Sequence, residues 1–157
     1  MIGEFDTILT IDCGVNGAVV IQFPDKSIII EKLAVSFEDL SKQFESYSGI
    51  AFVEHQHLRK TDCVSGRWHN IHKLCMHYQR IKDSLECNGL RVVEVTPQEW
   101  QIQFFLQSKN YLDRKKELKL KATKEFPDKK VTAWNQDALL MNKYINDKYL
   151  RNGKSRR

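Results

Sequence analysis

Hydrophobic residues alternate with a period of two in the first third of the chain and recur at helical spacing later. Residues 6–33 read as three short strands. The first places Ile8, Thr10 and Asp12 on one face and Leu9, Ile11 and Cys13 on the other. Gly14 and Gly17 turn the chain into a second strand near Ala18, and Phe23-Pro24-Asp25-Lys26 turns it into a third over Ser27–Leu33. Connections this short predict an antiparallel meander.

Ser36 with Asp39 three residues on is a capping-box variant, and Phe37, Leu40 and Phe44 give its helix an apolar stripe. Gly49 opens a strand ending at Glu54. A long helix is predicted from Trp68 to Cys87, with Ile71, Leu74, Cys75, Tyr78, Ile81 and Leu85 at helical spacing and Asn88-Gly89 as its stop. Leu90–Val95 is a fifth strand. Thr96-Pro97 starts a short helix to about Phe105, a basic helix follows over Asp113–Phe126, and the last runs from Ala133 or Asn135 to Tyr149. Helical crossovers between the first, fourth and fifth strands favour parallel pairing, with the first and fourth as neighbours. The expected class is α/β: a five-stranded mixed sheet flanked by helices.

Two apolar strands end in an acid, Asp12 and Glu54, and Asp137 opens an apolar helix. A carboxylate at the end of a buried element is costly unless it is paired or holds a cation. Any one of them reads equally well as a turn residue or cap. Three at the ends of core elements point to a divalent-metal site acting on phosphate.

Composition sharpens this. The 157 residues carry a net charge of +5, with 41% hydrophobic and 29% charged residues, an ordinary globular balance. One domain over 1–150 and a basic, disordered tail over 151–157 are expected. Between Arg114 and Lys130 lie eight Lys or Arg against three acids. Positive charge beside clustered carboxylates suits a protein that holds a polyanion with its bases and a metal with its acids. Cysteines 13, 63, 75 and 87 form no CxxC pair and read as reduced thiols. His69, His72 and Cys75 have helical spacing that raises zinc, but successive i, i+3 positions drift around a helix, and Cys75 reads better as packing. No apolar run reaches the ~20 residues that span a bilayer.

The order of elements and four motifs resemble the RuvC-type Holliday-junction resolvases of the ribonuclease H-like fold, especially compact phage-type members. The carriers are Ile-Asp-x-Gly-x-x-Gly-Ala (Ile11 to Ala18), Phe-Val-Glu-x-Gln (Phe52 to Gln56), Val-Thr-Pro-Gln-x-Trp (Val95 to Trp100) and Asp-Ala-Leu-Leu (Asp137 to Leu140). The resemblance spans about Thr7 to Tyr149. It implies a metal-dependent endodeoxyribonuclease in which Asp12, Glu54 and Asp137 are catalytic ligands for two Mg²⁺ ions, with Mn²⁺ as substitute. The chain departs from the pattern three positions before the final acid, where many members have Asp or His and this one has Trp134. His57 stands where some relatives place an aromatic that stacks at the junction centre.

DNA is expected to meet His57, Arg59 and Lys60 in the loop after Glu54, and Lys115, Lys116 and Lys119 on the basic helix. The expected partner is a four-way DNA junction, bound by a homodimer whose interface is the long Trp68–Cys87 helix. No membrane partner is expected, and the expected location is the cytoplasm of a bacterium or of a phage- or virus-infected cell. Two alternatives stand beside this reading: a protein of the same fold that binds branched nucleic acid without cutting it, and a nuclease of RNA in RNA–DNA hybrids.

Overall fold

The computed structural model describes residues 7–14, 16–56 and 68–150. Five strands form one sheet: β1 (Thr7–Asp12), β2 (Ala18–Gln22), β3 (Ile28–Lys32), β4 (Gly49–Glu54) and β5 (Arg91–Val95). Their order is β3-β2-β1-β4-β5. β1, β2 and β3 pair antiparallel, as their short turns require, and β1–β4 and β4–β5 are parallel. The register sets Ile11 beside Val53, so the next residues, Asp12 and Glu54, leave neighbouring strands at the same end of the sheet. The α/β class and the mixed five-stranded sheet are as the sequence implies.

The period-two pattern sorts side chains to two faces. Leu9, Ile11, Cys13, Val19, Ile21, Ala51 and Val53 pack under α1 (Phe37–Phe44) and α2 (Trp68–Cys87), against Leu40, Phe44, Tyr78, Ile81 and Leu85. Ile8, Ile50, Phe52 and Val95 pack on the opposite face. There they meet Trp100 of α3 (Pro97–Gln101), Leu118 and Ala122 of α4 (Tyr111–Glu125), and Leu140, Met141 and Tyr144 of α5 (Gln136–Ile145).

Local signals fix the helix ends. Ser36 Oγ accepts from Asp39 N at 3.1 Å, and Thr96 Oγ1 from Glu99 N at 3.2 Å with Pro97 at the first helical position. The basic helix begins two residues before the expected Asp113, because Asn110 Oδ1 accepts from Leu112 N at 2.8 Å. The last helix begins at Gln136, after a turn, and its end loosens into a wider π-helical turn over Asn146–Leu150. That turn is clamped to the sheet by a reciprocal amide pair. Gln22 Nε2 donates to Asn146 Oδ1 at 2.9 Å, and Asn146 Nδ2 donates to Gln22 Oε1 at 2.7 Å.

Two glycines are required by close backbone approach. A Cβ on Gly49, whose φ is +135°, would lie 2.2 Å from the carbonyl oxygen of Thr7 where β4 meets β1. One on Gly17 would lie 2.0 Å from the carbonyl oxygen of Asp12. Three cysteines among the described residues, Cys13, Cys75 and Cys87, are free thiols. No helix among the described residues is long and apolar enough to cross a membrane.

Candidate active site

Asp12, Glu54 and Asp137 come together on the sheet face covered by α5. Even-numbered positions of β1 and β4 point to that face, which brings Asp12 and Glu54 to it at the strand ends. Asp137 is delivered by a bond across the core: Thr10 Oγ1 donates to the carbonyl of Ala138 at 3.2 Å, hanging the first turn of α5 from the middle of β1. Glu54 and Asp137 are each only 7% exposed.

Each acid sits in the field of the others. Burial pushes the Asp12 carboxyl above its ordinary value and the charge of Asp137 pushes it further, while the Gly14 N–H, 3.0 Å away, and Lys115 pull it back. Burial likewise raises Glu54, and the Asp12 charge adds to it. Glu54 is held from two sides: the indole Nε1 of Trp100 donates to Oε1 at 3.0 Å and Gln56 Nε2 donates to Oε2 at 3.1 Å. Asp137 Oδ2 accepts from the ammonium of Lys115, and Asp137 Oδ1 is a buried oxygen with no hydrogen-bond partner. Burial pulls the Lys115 amine down, but the neighbouring Asp137 carboxylate more than offsets this and its pKa rises.

A cleft of about 660 Å³ opens beside these groups. Asp12 and Lys115 line it, with Lys32, Lys116, Lys119, Tyr111 and Trp134. Lys116 and Lys119 are exposed, whereas the Lys115 side chain is 36% exposed and turned to Asp137. Of the three α4 lysines expected to meet DNA, two thus face solvent beside the cleft and one points into the acids. His57, Arg59 and Lys60 lie outside the described residues, as do Cys63 and the 151–157 tail.

Three roles escape a reading of the sequence. Trp100, which reads as core or interface, is fully buried yet spends its indole N–H on Glu54. A buried Trp needs a partner for that proton, which is the signal that points to it. Gln56 sits in the Phe-Val-Glu-x-Gln motif without a role until its amide is seen against Glu54. Lys115 falls on one helical stripe with the buried Leu118 and Ala122, at i, i+3 and i+7.

Behind the strand ends a second polar cluster braces β4 against β5. The His55 N–H donates to the Val95 carbonyl at 2.8 Å. Its Nδ1 lies 2.6 Å from Glu94 Oε2 and 3.2 Å from Tyr78 Oη, and Lys82 also pairs with Glu94. Lys82 above all holds the Glu94 carboxyl down at about 2.

The donor set suits a hard divalent cation. It consists of carboxylate oxygens, one of them an orphaned buried atom, in a pocket whose burial and mutual repulsion favour any added positive charge. Among the described residues, however, no three His, Cys, Asp or Glu side chains stand close enough to hold an ion as they are. That applies equally to His69, His72 and Cys75. Lys115 already supplies one positive charge to the acids.

No family model matches this chain, and no curated protein sequence does. Among solved structures it is similar to Thermus thermophilus RuvC in complex with a Holliday-junction substrate, with a TM-score of 0.54 and 12% identity over 90% of this chain and 95% of that one. A second structure of Thermus thermophilus RuvC also has a TM-score of 0.54, at 14% identity over 94% of this chain and 96% of that one. The likeness is one of fold, carried across nearly the whole of both chains: this chain has the ribonuclease H-like α/β architecture seen in RuvC.

Proposed function

We propose that this protein is a metal-dependent endonuclease that resolves four-way and other branched DNA. The observation that carries the reading is the meeting of Asp12, Glu54 and Asp137, from two strands and a helix, beside a lysine-lined cleft. A RuvC with the same fold has been solved with a Holliday junction, which supports branched DNA as the substrate class.

Asp12, Glu54 and Asp137 would hold divalent cations of the Mg²⁺ or Mn²⁺ type. When bound, such an ion supplies Lewis-acid polarisation of the phosphate and a water of lowered pKa. Trp100 and Gln56 keep Glu54 aimed, and the Gly14 N–H does the same for Asp12. Lys32, Lys116 and Lys119 sit where they can meet backbone phosphates entering the cleft. A junction offers two equivalent strands, so paired cuts require two copies of the site, and the active species is a homodimer. The α2 helix is the proposed interface.

The test is cleavage of a labelled four-way junction by the purified chain in Mg²⁺, alongside linear duplex and an RNA–DNA hybrid. Paired, symmetric cuts confined to the junction are expected. Binding without cuts would leave a junction-binding protein, and preferential cutting of the hybrid would leave a ribonuclease.

A further inference from the structure

We propose that the ammonium of Lys115 takes the place of one of the two cations expected at this site, so that the free protein binds a single divalent ion. The proposal rests on the metal-dependent reading above and concerns how that site is built.

Its first support is charge. Three carboxylates and one ammonium leave a formal −2, which one divalent ion cancels and two would overshoot. Lys115 also stands among the acids: its ammonium pairs with Asp137, and it lines the same cleft as Asp12. A fixed positive charge set among buried carboxylates does electrostatically what a bound cation does.

Its second support is the way Lys115 is held. Its backbone carbonyl accepts from Gln136 Nε2 at 3.3 Å, tying α4 to the residue before Asp137. The Tyr111 ring, one turn earlier, lies with its centroid 6.0 Å from the ammonium. The lysine is therefore fixed beside Asp137 rather than set out at the surface like Lys116, whose side chain is 77% exposed and pairs with Asp113 one turn back.

The third support is what precedes Asp137. Trp134 offers no ligand atom; it is half-buried and packs against the cluster formed by Ala18, Val20, Ala138 and Leu139. Asn135 has both ends of its amide engaged, Oδ1 accepting from Thr132 N at 2.8 Å and Nδ2 donating to the Lys130 carbonyl at 3.0 Å. Neither residue adds the negative charge that a second ion needs. The free oxygen of Asp137 remains for one ion, while its other oxygen stays on Lys115.

Calorimetric titration of the full chain with Mn²⁺, without DNA, tests this. One ion per chain is expected for the wild type. Lys115→Met is expected to bind Mn²⁺ about tenfold tighter or to take up a second ion, since losing a unit charge within a few ångströms of a buried site changes the Coulomb energy by at least that much. Lys115→Arg, which keeps the charge, is expected to hold the wild-type stoichiometry. Two ions of similar affinity in the wild type would overturn the proposal. So would unchanged binding in a folded Lys115→Met protein, or a second ion in Lys115→Arg. No Mn²⁺ uptake by the wild type at millimolar concentration would overturn the metal-dependent reading itself.

Discussion

The indole Nε1 of Trp100 donates to Glu54 Oε1 across 3.0 Å, inside a core where the tryptophan has no exposed surface. The bond joins the first turn after β5 to the last residue of β4. It favours the charged form of an acid that burial otherwise drives toward protonation. Replacing Trp100 by Phe keeps most of the ring and removes only the donor. The change is expected to cost roughly 1–3 kcal/mol, the penalty for leaving a buried acceptor short of a partner. It should also weaken Mn²⁺ binding. Thermal unfolding and titration together check this; a drop in stability with unchanged ion affinity would make Trp100 a packing residue only.

Asp12→Asn is expected to lower junction cleavage about 10³-fold or more, the scale seen when a central catalytic group is lost. Junction affinity should change little, because Lys and Arg contacts to phosphate carry binding. Asparagine keeps the oxygen that accepts from Gly14 N and relieves the repulsion among the acids. The metal-free variant should therefore melt higher than the wild type. Lower melting together with lost cleavage would point to a folding defect.

The same repulsion sets a pH dependence. Glu54 titrates higher in the folded protein than its ordinary 4.5, at about 8, because burial and then the Asp12 charge disfavour its ionised form. A folded pKa above the unfolded one gives stability that is complete below 4.5 and lost as pH rises to about 8. The metal-free protein should thus lose stability across that window. Mn²⁺ or Mg²⁺ should restore more of it at pH 8 than at pH 5. Melting curves at both pH values, with chelator and with excess ion, test the sign. Glu94, held down at about 2, works the other way, and its contribution fades as pH falls from 4.5 toward 2.

Much of this was legible in the sequence because the deciding interactions are local. Ser36 and Asp39, or Thr96 and Pro97, announce helix starts within four residues. Asp12 and Glu54 declare themselves by breaking apolar runs that a two-residue period assigns to one sheet face. Lys115 is different. Lys115, Lys116 and Lys119 lie in one charge run, and nothing in its composition says which lysine turns inward. That is decided by how α4 rotates onto Leu140 and Met141 to bury Leu118 and Ala122, a contact with residues far along the chain. Asn135 misleads for a related reason. It reads as a possible first residue of the last helix, but it stands at the cap position just before Gln136, with its side chain spent on Thr132 and Lys130 rather than on the helix's own N–H groups.

The two outward lysines have a separate role. Changing Lys116 and Lys119 together to Gln is expected to weaken junction binding and flatten its salt dependence by about 1.8 in the log–log slope, at 0.9 per lost duplex phosphate contact. Mn²⁺ stoichiometry should stay at the wild-type value. Binding measured from 50 to 200 mM salt checks it; an unchanged slope would return these lysines to an ordinary solvated helix face.

Gly17→Ala tests the turn that carries Asp12. The new methyl would sit 2.0 Å from the Asp12 carbonyl and 2.8 Å from that of Gly14, both backbone atoms with no side chain to yield. A loss of roughly 2–4 kcal/mol is expected, in the range of mutations that strain a fixed backbone. Weaker ion binding should accompany it. Wild-type melting would show that the turn can open without cost.

The bond from Thr10 to the carbonyl of Ala138 spans 128 positions of sequence. It gives the order of synthesis a chemical meaning. A chain emerging from the ribosome carries Asp12 and Glu54 early and can pair β1 with β4 long before α5 exists. The third carboxylate joins them only when the final helix docks under the first strand, a contact of high sequence separation whose closure costs the most chain entropy. A chain cut short before Asp137 therefore holds only two of the three acids.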